Sequence, residues 1–283
     1  MTGLPILPRL FKISNMKNWF ILCLLLIGNC LLAQVIPFGF LKTSRAPFVA
    51  PAIVSNGLIL NLDAANPSSY SGSGSTWSNL ITGNSVANFT LISATYTSDN
   101  GGAIRFSSSG YASTTNTFGR IASYTIEIWV KMANTTGPAP TSNYTPCLFS
   151  EVYSNASVNM ILAYNWYNAI SPTSYQYLAG FYNNGWNTTS TTTNTNDFNH
   201  WIHIVATYGS NVLNIYKNGA KIASATIVAT NTSTSNGGYY IGRRWDSADL
   251  VYGDYSMVNL YNKALSSSEI TTNYNAFKLR FGL

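Results

Sequence analysis

Two short stretches set aromatic and amide side chains side by side at a density that suits saccharide recognition: Tyr164-Asn165-Trp166-Tyr167-Asn168 and Tyr182-Asn183-Asn184-Gly185-Trp186-Asn187. An aromatic face takes sugar C–H groups, and flanking amides pair with sugar hydroxyls. Trp166, Tyr167, Asn168, Asn183, Asn184 and Trp186 are therefore the candidate carbohydrate-binding residues. The competing assignment gives Trp166 and Trp186 to capping the core and the Asn residues to turns. Groups for catalysis are sparse. The chain has nine acidic residues and two histidines, with no close pair of acids on one predicted strand and no nucleophile motif around any serine. No catalytic residue is predicted. His200 and His203 are assigned to structure, with His203 making a hydrogen bond in the core or at a strand edge.

Such side chains need loops on a rigid scaffold. Only 8% of residues are charged, and Ser, Thr, Asn, Gly and Tyr are abundant, residues that favour turns and strands over helix interiors. This predicts an all-β fold. The clearest strand is 124–132, where Ile126, Ile128, Val130 and Met132 share one face while Thr125, Glu127, Trp129 and Lys131 share the other. That alternation predicts a half-buried strand. Further strands are predicted at 57–63, 147–151, 159–164, 176–181, 201–208, 212–217, 221–228, 239–241 and 255–261. Asn218-Gly219 joins two of them with the positive φ pair of a type I′ hairpin turn. One helix is predicted, capped by Ser266, with Glu269 reaching back in a capping box, and running to Phe277. The Thr/Asn-rich stretch 188–196 reads as a surface loop.

The N-terminal part is different in kind. Lys17 precedes an apolar run from Trp19 to Ile27, and Ala33-Gln34 follows, the pattern of a secretory signal peptide. The run is short for a membrane span, so 1–33 is assigned as a signal peptide and a retained anchor is the alternative. Met16 offers a second start, which leaves 1–15 as an over-called start or a long n-region. Residues 34–52 carry Pro37, Pro47 and Pro51 with Phe38, Phe40 and Phe48 among them, which suits an extended arm. The arm packs on its own domain or docks on a second copy by strand addition, with Phe38, Phe40 and Phe48 as contacts. Residues 53–283 form the domain. Without Arg9, Lys12 and Lys17 the formal charge falls from +6 to +3, with no Lys/Arg cluster that would suit nucleic acid. Cys147 is then the sole cysteine, so no disulfide within the chain is expected. The expected location is extracellular or at the cell surface, with membrane contact only during export.

Several segments resemble the concanavalin A-like lectin/glucanase superfamily, in its laminin-G-like, bacterial and phage-borne branch. They are Gly57-Leu58-Ile59-Leu60-Asn61-Leu62-Asp63, Tyr124-Thr125-Ile126-Glu127-Ile128-Trp129-Val130-Lys131, His200-Trp201-Ile202-His203-Ile204-Val205-Ala206-Thr207-Tyr208, and Ile241-Gly242-Arg243 followed by Val258-Asn259-Leu260-Tyr261. The resemblance implies a two-sheet antiparallel jelly-roll sandwich used for binding sugars and for adhesion. Hydrolases of this superfamily place carboxylates in an E-x-D-x-x-E pattern on one strand. Here the comparable strand carries Glu127 alone. Some members bind calcium at the rim, and Asp246, Asp249 and Asp254 are the candidate ligands, although Ser256 and Met257 replace an Asp-Glu pair common in the family. Solvated loop acids are the alternative. No cofactor is required. The expected function is a secreted, non-catalytic carbohydrate-binding or adhesion domain with glycans or cell-surface polysaccharide as partners. The alternative is a structural subunit of a filament, surface layer or virion, self-associating through the arm and the apolar C-terminal end from Phe277 to Leu283.

Overall fold

The computed structural model describes residues 52–83, 88–115, 123–133, 146–152, 158–165, 176–182, 186–191, 197–228, 238–244 and 250–283. The signal peptide and the arm, with Phe38, Phe40 and Phe48, lie outside them. Residues Val49–Leu283 form one compact unit.

Fourteen strands follow in chain order. They are β1 (Leu58–Asp63), β2 (Thr76–Trp77), β3 (Phe89–Thr97), β4 (Ala103–Thr114), β5 (Tyr124–Met132), β6 (Cys147–Val152) and β7 (Val158–Asn165). The rest are β8 (Gln176–Tyr182), β9 (Trp186–Ser190), β10 (Trp201–Gly209), β11 (Val212–Lys217), β12 (Ala220–Thr226), β13 (Tyr239–Ile241) and β14 (Gly253–Tyr261), before helix α1 (Ser267–Phe277). Every pairing between them is antiparallel. The path β12-β11-β10-β5-β14-β4-β13-β6-β7-β8-β9 folds over so that β8 and β9 meet β11 and β12. The result is a jelly-roll sandwich. Its core takes Ile126, Ile128 and Val130 from β5, Ile202 and Ile204 from β10, and Phe149, Leu162 and Ile241 from the opposing strands.

Local chemistry sets the connections. Asn218 and Gly219 have φ of 50° and 80°, and Lys217 faces Ala220 across the two-residue turn. Ser266 Oγ accepts from the Glu269 N–H while Glu269 Oε2 accepts from the Ser266 N–H, which starts α1.

Three expectations change. β5 is buried on both faces rather than one, because α1 and the turn after it lie over Glu127 and Trp129. The loop expected at 188–196 begins as strand: β9 pairs with β8 through Ser190, and Thr191 Oγ1 accepts from the Tyr177 N–H. Ladder bonding compensates there for the missing apolar anchor. The aromatic part of the apolar C-terminal end packs on its own domain. Phe277 and Phe281 are buried against Trp129 and Trp201, and of the end's large apolar side chains only Leu279 and Leu283, at 84% and 38%, are exposed.

Candidate functional site

Among the described residues, three gatherings of side chains bear on function. The first lies between β5, β10, β14 and α1. Register sets Val205 and Asn259 on either side of Glu127, and His203 and Met257 on either side of Trp129. All point toward α1, the face opposite the core. Glu127 Oε1 accepts from His203 Nε2 at 2.7 Å. Its Oε2 accepts from Asn273 Nδ2 at 2.9 Å, Asn259 Nδ2 at 3.1 Å and the Tyr261 hydroxyl at 3.4 Å. A carboxylate this deep persists because four donors replace its water. Burial, then the Glu127 charge, pushes the Tyr261 phenol well above its ordinary value. His203 Nδ1 is buried without a partner, which matches the tautomer that carries its hydrogen on Nε2. Phe281 stacks on Trp129 at 4.4 Å, and His203 lies 4.7 Å from the same ring. Glu127 is 2% exposed and His203 0%, and through Asn273 the pair fastens α1 to the sheet.

The second place tests the calcium set. Asp246 and Asp249 lie outside the described residues. Asp254 faces Arg105 on one neighbouring strand and Lys131 on the other. Its Oδ1 accepts from Arg105 Nε at 2.6 Å, and its Oδ2 from Arg105 Nη2 and Lys131 Nζ, each at 3.0 Å. Burial pushes this carboxyl up, but the hydrogen bonds from Arg105 and Lys131 outweigh it and hold the pKa below the ordinary aspartate value. Two cations occupying both oxygens repel a third, so Asp254 does not fit a calcium ligand. Among the described residues no three His, Cys, Asp or Glu side chains come together as a metal site.

Of the aromatic–Asn residues, Trp166, Tyr167, Asn168, Asn183 and Asn184 lie outside the described residues. Trp186 opens β9 opposite Tyr182. The strand ends that carry the two stretches are nevertheless placed. Asn165 pairs with Gln176 at one end of β8, and Trp186 with Tyr182 at the other. At about 3.3 Å per residue the strand keeps those ends about 20 Å apart, too far for one sugar ring to bridge. Tyr164, first in its stretch, is a core residue. It packs on Tyr177, and its hydroxyl accepts from the Asp197 N–H.

The third place had no prediction. Tyr111 on β4 and Tyr240 on β13 are half-buried on the outer face of the strands opposite α1, with ring centroids 6.0 Å apart. The Arg243 guanidinium lies 4.4 Å from the Tyr111 ring and 5.1 Å from that of Tyr240. Gly242, at φ 78°, turns the chain here, and a Cβ on it would meet the Phe106 ring at 2.7 Å. Ser150 Oγ donates to the Arg243 carbonyl at 2.9 Å, and Arg243 bridges to Leu250. The sequence signal for it is Ile241-Gly242-Arg243, where an arginine directly follows the turn glycine of a family-like segment.

A family model described as the concanavalin A-like lectin/glucanases superfamily matches residues 106–271. The chain belongs to this superfamily. Among solved structures, domain 4 of AbnA, a GH43 extracellular arabinanase from Geobacillus stearothermophilus in complex with arabinotriose, is 17% identical with a TM-score of 0.54, over 76% of this chain and 96% of that one. Trypanosoma rangeli sialidase is 17% identical with a TM-score of 0.58, over 81% of this chain but 34% of its own. The botulinum neurotoxin type G receptor binding domain is 15% identical with a TM-score of 0.54, over 78% and 51%. The superfamily member described here thus spans about a third of the sialidase chain, and at such identities the likeness is one of fold. No curated protein matches it.

Proposed function

We propose that this chain is an exported, non-catalytic carbohydrate-binding domain. One observation carries the reading. The hydrogen-bonded acid–base pair Glu127 and His203 is sealed under α1, whereas the aromatic–guanidinium group of Tyr111, Tyr240 and Arg243 is partly open to solvent. A likeness in fold to a domain solved in complex with arabinotriose is consistent with it. Export rests on the segment Lys17 to Ala33. The test is a glycan array with the purified protein, coupled to an assay for released reducing sugar. Binding without release is expected. Sugar release makes the protein an enzyme, and an array with no binding removes the reading.

A structural role is favoured by a different feature. β12 ends the strand path, and no described strand pairs with its outer edge. Ile222 and the following Val228 are 37% and 60% exposed. Such an edge is a template for strand addition. Electron microscopy of concentrated protein showing regular polymers would support this role, and monodisperse particles would remove it.

A further inference from the structure

We infer that Arg243, held against Tyr111 and Tyr240, is the anchor for a carboxylate-bearing saccharide, such as a uronic acid residue. This rests on the carbohydrate-binding reading and adds the ligand class and the place. Elsewhere on the domain, Arg105, Lys131, Lys217, Lys263 and Arg280 each meet a carboxylate. Arg243 meets none among the described residues, and its Nε is buried without a hydrogen-bond partner. A guanidinium that has lost part of its water and lacks a counter-ion is completed by an anion from outside. The two rings flank its Cζ, the residue is only half-buried, and the Nη groups, rather than the buried Nε, are the donors for a planar, two-oxygen acceptor. Its backbone is fixed as well: Gly242 turns the chain where a Cβ would meet Phe106, and Ser150 and the Leu250 bridge hold the carbonyl and strand. Flanking Ser113 and Thr90, paired on the same outer face, supply hydroxyls for the rest of a sugar ring.

The experiment measures binding of the full chain to oligogalacturonate, to the matching neutral galactan oligomer, to a sulfated galactan and to poly-glutamate, with and without EDTA. Oligogalacturonate is expected to bind at least tenfold more tightly than the neutral oligomer, unchanged by EDTA. Arg243→Lys, which keeps the charge but loses the fork, should weaken it about tenfold, and Tyr240→Ala should also weaken it, with melting temperatures checking the fold of each. The double variant Asp246→Asn/Asp249→Asn, which removes two negative charges from the segment between Arg243 and Leu250, should bind no more weakly than the parent. The assignment is overturned by equal binding of acidic and neutral oligomers, by an unaffected Arg243→Lys, by loss in EDTA or in the double Asp variant, or by equal binding of the sulfated polymer or poly-glutamate. Equal acidic and neutral binding would leave the carbohydrate-binding reading standing, and binding to none of the saccharides would remove both.

Discussion

Glu127 under α1 and Arg243 on the opposite strands are both charged groups set against aromatic rings, yet their surroundings are opposites. Glu127 is dry and meets four donors, with Trp129 and Phe281 stacked beside it. Arg243 has two tyrosines and no carboxylate among the described residues. A buried charge whose partners are complete contributes to one arrangement of helix on sheet. A half-buried charge whose partners are incomplete keeps its interaction energy for something that arrives later.

The sharpest way to break the comparison is Glu127→Ala. It strands His203, Asn259, Asn273 and Tyr261 without their shared acceptor, and is expected to cost about 3–5 kcal/mol in denaturant unfolding. A loss below about 1 kcal/mol would mean that water reaches the network. Asp254→Asn should cost about 1–2 kcal/mol at pH 7, a modest figure because Arg105 is half exposed. Its sign with pH follows from the depressed carboxyl. The stabilisation is complete above the unfolded value of about 3.9 and disappears as pH falls through the lower folded value. Parent and variant should therefore differ equally from pH 7 to about 5 and converge below about 4 in a pH series of melts. Ser266→Ala removes the cap of α1 and should cost about 1 kcal/mol, read as earlier loss of helix signal. Arg243→Lys should change stability by less than about 0.5 kcal/mol. A larger effect would place Arg243 with Glu127, among the groups that hold the fold.

Strand periods were legible because each side chain's face depends only on its neighbours in the chain. The face pattern of 124–132, the Asn218-Gly219 hairpin and the Ser266–Glu269 box all appear as expected. β2, β3, β4 and β9 fall outside the predicted strands, β2 because two residues show no period. β3 and β4 carry bulges and long polar stretches such as Ser107-Ser108-Ser109, which blur the period of two. β9 has little apolar character and exists through its pairing with β8. Asn273 could have been found, since it falls on the stripe of Ile270 and Phe277, where a polar side chain needs a buried partner.

By itself the sequence determined the all-β class, the family, the hairpin and the helix cap, all products of local spacing or of motifs read in order. Tertiary structure alone decided that Glu127 is a fastening, that Asp254 is paired with cations and that Arg243 meets no acid among the described residues. It also put the strand ends bearing the two aromatic–Asn stretches at opposite ends of β8. The reason is the same in each case. A charged residue's role depends on which donors, rings and cations surround it, and those come from strands up to 149 positions away in the chain.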